Sequence, residues 1–151
     1  MIQRIQSLYL LVSAILGVVC LSMPLGQFLT ASSEPYATLY NLWITSAENG
    51  NHNFAPWALF ALLLIATSLT FFDIFLFKHR ALQMRALSLC MILLVGYYAY
   101  LAFFAYMQQG DGSFRPSVTA ALPFVSIVLD YLAFRGILKD EMLVRSLDRL
   151  R

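Results

Sequence analysis

A chain of 151 residues in which 60% are hydrophobic and only 12% charged cannot hide its apolar groups in one water-soluble core, because soluble domains carry roughly 45–50% apolar and about 25% charged residues. That excludes an ordinary soluble domain. The small net charge of +2 averages over a lopsided distribution, and it is the distribution that carries information.

Four apolar runs, approximately residues 7–28, 56–77, 86–107 and 118–138, each meet the requirement of about 18 or more residues for crossing a hydrocarbon core of about 30 Å. The polar segments between them are too short for a second domain. The expected fold is therefore all-α, a single membrane domain over 1–151 built as a four-transmembrane-helix bundle, with an extracytoplasmic segment after the first span and an amphipathic helix at the C-terminal end. Short loops rich in Lys and Arg stay in the cytoplasm. Arg4 precedes the first span, Lys78, Arg80 and Arg85 join the second to the third, and Arg135, Lys139, Arg145, Arg149 and Arg151 follow the fourth; Arg115 alone falls on the other side. Both termini are predicted in the cytoplasm of a bacterial inner membrane. The nine basic residues there form a candidate contact face, suited to anionic lipid headgroups or to another inner-membrane protein rather than to nucleic acid.

In chain order, MIQRIQSLYLL places Ile2, Ile5 and Leu8 at helical spacing, so the first helix is expected to begin at the interface, with Arg4 snorkelling to headgroups. The run is long for a secretory signal, and no A-x-A site follows it, so an uncleaved span is preferred. Ser13 and Gly17 make a small-xxx-small pair that admits a close neighbour, and Pro24 is expected to end or kink the span. Residues 27–54 hold the turn signal Ser32, Ser33, Glu34, Pro35 and then the Tyr, Thr, Trp and Ile of YATLYNLWI. A short hairpin on the outer surface and an interfacial helix with Tyr36, Tyr40 and Trp43 at headgroup level both fit.

The second span is apolar all round except for Ser68, Thr70 and Asp73. Asp73 is expected at the inner boundary beside Lys78 and Arg80 as an interface charge. KHRALQMR is so short that spans two and three must be antiparallel neighbours. The third span carries a dense aromatic group near its outer end, and the loop QQGDGSFRPS reads as turn chemistry around Gly110, Asp111 and Gly112. In the fourth span Pro123 permits a kink, and Asp130 lies about 18 Å along the helix from Val118. An ionised carboxylate at such a depth costs about 2.5–3.5 kcal/mol on insertion scales unless paired or hydrated. Ser13, Ser68, Thr70 and Tyr97 reach similar depths on the other spans, so a polar layer around Asp130 is predicted. It has either a structural role or a role as a proton or solute site. The remainder, KDEMLVRSLDRLR, reads as a separate amphipathic helix over 139–151 with Glu141 and Arg145 at i, i+4 spacing.

Enzyme chemistry finds no support in these residues. Cys20 and Cys90 are expected at depths about 12 Å apart, too far for a disulfide, and no C-x-x-C is present. His52 and His79 fall on opposite sides of the membrane and cannot share a metal or haem. No cofactor, metal or catalytic residue is predicted. MIQRIQSLYLL, KHRALQMR and DEMLVRSLDRLR together resemble a family of small four-span inner-membrane proteins of the Bacteroidota whose function is unknown. The resemblance covers essentially the whole chain and implies an integral inner-membrane protein without supplying an activity. The function expected is that of a non-enzymatic accessory or scaffold subunit, with a small transporter or channel component using Asp130 as the alternative.

Overall fold

The computed structural model describes residues 2–76 and 79–148, with side chains described from Ile5 onward except at 145, 147 and 148. The chain is mostly helical. Helix α1 is Ile2–Ser22, α2 is Trp57–Asp73, α3 is Arg80–Gln108 and α4 is Leu122–Asp148. All four are long and apolar enough to cross a membrane. Each packs against its two neighbours in the order α1, α2, α3, α4 and back to α1, so the helices alternate in direction and leave an interior shared by all four. Pro24 follows the end of α1, as its missing N–H and the restriction on its predecessor require. Short 3-10 turns at Ile74–Leu76 and Val118–Ala121 finish α2 and introduce α4.

The segment between α1 and α2 is a sheet rather than an interfacial helix. Strands β1 (Gly26–Leu29), β2 (Pro35–Leu39), β3 (Ile44–Ser46) and β4 (His52–Asn53) form an antiparallel meander. A fifth strand, β5 (Ser113–Pro116), comes from the loop between α3 and α4 and pairs antiparallel with β1, giving the order β4-β3-β2-β1-β5. The loop expected to be turn chemistry alone therefore also supplies an edge strand. Gly112 explains the tight entry into β5, since a Cβ there would overlap the Leu29 carbonyl. Alternation sets the sheet's inner face. Phe28, Ala37, Leu39 and Ile44 are buried, whereas Gln27 and Arg115 point outward.

Two apolar clusters divide the interior. The larger joins that sheet face to Cys20, Leu25, Leu59, Leu63, Leu94, Tyr97 and Leu101. The smaller, at the end remote from the sheet, holds Leu10, Leu87, Ala133 and Ile137. Gly17 lets α1 and α2 approach closely, because a Cβ there would overlap the Thr67 side chain.

Two expectations about α4 are corrected. It runs without interruption to Asp148, so the described part of KDEMLVRSLDRLR continues the fourth helix and is not a separate amphipathic one. Gln6 Nε2 donates to Asp140 Oδ2 at 2.8 Å, which fixes this extension against the start of α1. Pro123 lies in the first turn, where no intrahelical donor is expected of it, and so produces no kink. The α4 N-terminus is instead capped from α3. Tyr98 Oη donates to the Ala120 carbonyl at 2.7 Å and accepts from the Phe124 N–H at 2.9 Å. Tyr98→Phe removes both bonds and is expected to destabilise the fold by about 1–2 kcal/mol, read as a lower thermal unfolding midpoint in neutral detergent with helix content unchanged.

Candidate functional site

Between the two apolar clusters lies a polar layer that draws on all four helices. Ser13 from α1, Thr70 and Asp73 from α2, Cys90 from α3, and Ser126 and Asp130 from α4 are all buried, with Asp130 at 0% and Asp73 at 1% exposure. Cys90 is the hub. Its Sγ lies 3.5 Å from Asp130 Oδ2, to which the thiol donates, and 3.0 Å from Thr70 Oγ1. Thr70 Oγ1 in turn donates to the Ala66 carbonyl at 3.1 Å, the local i−4 bond by which a hydroxyl is accommodated within an apolar helix. The Ser13 hydroxyl stands beside the Asp130 carboxyl, and Ser126 Oγ donates to the Ser13 carbonyl at 3.4 Å. Gln83 Nε2 donates to the Asp73 carbonyl at 3.2 Å and closes the layer toward the remote end.

The residues expected in this layer separate into three groups. Ser13, Thr70 and Asp130 are together. Ser68 is not with them: its hydroxyl bonds back to the Leu64 carbonyl at 2.7 Å, and the side chain lines an apolar groove of about 490 Å³ between α1 and α2 with Ala14, Val18, Thr67 and Phe72. Ser68 and Thr70 are two positions apart on one helix, about 200° around it, so they cannot share a face.

Tyr97 lies seven residues beyond Cys90 on α3, about 10 Å further toward the sheet. Its hydroxyl donates to Asn41 Oδ1 at 2.9 Å, and Asn41 Nδ2 donates to the Cys20 carbonyl at 2.7 Å. This second network, with Tyr97 and Asn41 both at 0% exposure, ties the β2–β3 connection to α1 and α3. Cys20 and Cys90 are both free thiols, one beside each network.

Asp73 corrects the expectation of an interface charge. It is buried in the layer, within electrostatic reach of Asp130. The cause is helix length. Helix α2 spans 17 residues against 29 for α3 and 27 for α4, so its last residue is flanked by longer neighbours, with Gln83 bonded to its carbonyl. Cys90 was treated in the sequence only as half of an excluded disulfide. Counting up α3 from the KHRALQMR joint to the level that Thr70 reaches on α2 would have placed it in the layer.

Of the basic residues expected to form one face, Arg80, Arg85, Arg135 and Lys139 lie at the end remote from the sheet. Arg85, Arg135 and Lys139 are exposed and Arg80 is half-buried. Arg4 and Arg145 belong to α1 and α4 at that same end; Lys78, Arg149 and Arg151 lie outside the described residues. Among the described residues no group of three or more His, Cys, Asp and Glu side chains could hold a metal ion.

Fold and layer together define a small, mainly helical protein with four helices of membrane-crossing length, capped at one end by a five-stranded antiparallel sheet. A family model described as a domain of unknown function (DUF4293) matches residues 2–150, and the chain belongs to that family. No curated protein matches the chain.

Proposed function

We propose that the chain is a four-helix membrane bundle of the bacterial inner membrane. Both termini lie on the cytoplasmic side, the sheet lies on the outer side, and the protein acts non-enzymatically as an accessory or scaffold subunit. The observation that carries this reading is the separation of surfaces. Large apolar side chains such as Ile15, Ile65, Ile92 and Val95 are exposed along the helices, where lipid would cover them, while Arg80, Arg85, Arg135 and Lys139 gather at one end. Such a basic end attracts anionic headgroups or an acidic patch on a neighbouring membrane protein, by about 1 kcal/mol per residue near an anionic leaflet.

The Arg80→Glu, Arg85→Glu, Arg135→Glu, Lys139→Glu variant tests it. The protein is expected to reach the membrane at normal abundance, yet to migrate on native gels after mild-detergent extraction without the larger species that the wild-type chain forms. A wild-type protein that runs as an isolated chain, or a variant that retains the larger species, removes the scaffold reading.

A second reading, a small transporter or channel component that uses Asp130 as a proton or solute site, is supported by the burial of that acid beside Asp73. Intramembrane acids commonly mark such pathways. Reconstituted Asp130→Asn protein is expected to lose any flux that the wild-type chain gives in liposomes; equal flux in the two eliminates this reading.

A further inference from the structure

Asp73 and Asp130 come from α2 and α4, which face each other across the shared interior, and both are almost fully shielded from solvent. Asp73 Oδ1, Asp73 Oδ2 and Asp130 Oδ1 have no hydrogen-bond partner among the described residues. The fourth oxygen, Asp130 Oδ2, faces the weak Cys90 thiol donor at 3.5 Å, and the Ser13 hydroxyl stands beside the same carboxyl. Buried polar atoms are almost always satisfied, so three orphaned carboxylate oxygens on two acids within electrostatic reach of each other call for a ligand. Among the described residues Arg85, Arg135 and Lys139 are exposed and Arg80 is half-buried, and none of them is a hydrogen-bond partner of these oxygens.

We propose that Asp73 and Asp130 form a binding site for a dehydrated monovalent metal cation of sodium's size, held between α2 and α4 at the level of Cys90. Carboxylate oxygens are hard donors that suit such an ion. Mg²⁺ gives up its waters reluctantly, and Ca²⁺ takes six to eight oxygens, more than the two carboxylates provide. A bound cation screens the repulsion between the two acids and links the two helices across the interior, so its release loosens that contact. This deepens the second reading of function. Equilibrium binding is nevertheless measured apart from flux, and a protein that binds the ion without moving it separates the two.

The full chain, purified in neutral detergent, is unfolded thermally at one fixed pH in NaCl or in choline chloride of equal concentration. NaCl is expected to raise the midpoint saturably by about 3 °C or more. The shift is expected to vanish in Asp73→Asn and in Asp130→Asn, and to persist in Asp111→Asn, whose residue is exposed beyond the sheet end of α3. Equal wild-type midpoints in the two salts would overturn the proposal, as would a sodium shift that survives in both Asn variants or a shift given by CaCl₂ and not by NaCl. Should either variant fail to fold, ²³Na line broadening on the wild-type protein decides. Broadening that saturates and is competed by LiCl supports the site, and its absence overturns it.

Discussion

Phe28→Ala is expected to lower stability by about 3–5 kcal/mol, the usual cost of truncating a buried aromatic, and the thermal midpoint in neutral detergent by about 10 °C or more. Phe28 is fully buried. It stands opposite Phe114 in the β1–β5 register, with ring centroids 5.0 Å apart and the Tyr36 ring at 6.1 Å. It is thus the side chain through which the two separate chain segments that build the sheet meet the helix ends. The loss should fall on the sheet. Proteolysis in the 113–116 segment should increase while helix content stays near the wild-type value. Gln27→Ala, on the outward face of β1, is expected to cost less than half as much; equal losses would show that the alternation does not set the buried face.

The second large effect concerns the network around Asn41. Asn41→Ala is expected to cost about 2–6 kcal/mol, because it leaves two buried partners unsatisfied at once, the Tyr97 hydroxyl and the Cys20 carbonyl, at about 1–3 kcal/mol each. Tyr97→Phe removes a hydroxyl and orphans only Asn41 Oδ1, so about 1–2 kcal/mol is expected. In the double mutant the losses should be well below additive, since the bond between the two residues can be lost only once. Chemical unfolding of the four proteins in mixed micelles provides the cycle. Additive losses would show that the 2.9 Å contact between them contributes nothing.

How much of this was legible in the sequence follows from the length scale of each signal. The four long helices are written in runs of about twenty apolar residues, and the gathering of Arg80, Arg85, Arg135 and Lys139 at one end needs only a count. Strand β5 is four residues with Phe114 as its inward side chain, too brief for alternation to register and recruited only because β1 lies beside it. Asp130 was visible as an acid deep in an apolar run. Asp73 was not, because its burial depends on α2 being shorter than its neighbours, and the run 56–77 conceals where the helix ends.

The polar layer was readable in outline from depth alone, which brought Ser13 and Thr70 toward Asp130. Depth says nothing of azimuth, and so Ser68, turned toward the groove between α1 and α2, was grouped with residues it does not face. Tyr97 was misplaced for another reason. Its partner, Asn41, sits in the connection between β2 and β3, and nothing in the apolar run of α3 points to that connection. The continuity of α4 past Leu138 was hidden by composition. The charges of KDEMLVRSLDRLR suggest a break, whereas Lys, Glu, Met, Leu and Arg are all good helix formers and carry the helix on without one.

The central claim, a bundle that crosses the membrane with the sheet outside and the basic end inside, is tested most directly by side-specific labelling. Single cysteines are placed at Asn49, in the exposed turn beyond β3, and at Ser146, exposed on α4, in a chain whose buried Cys20 and Cys90 are replaced by Ala. A membrane-impermeant maleimide applied to intact spheroplasts is predicted to label the Asn49→Cys protein at once and the Ser146→Cys protein only after lysis. Labelling of Ser146→Cys in intact spheroplasts, or recovery of either protein in the soluble fraction, would contradict the account.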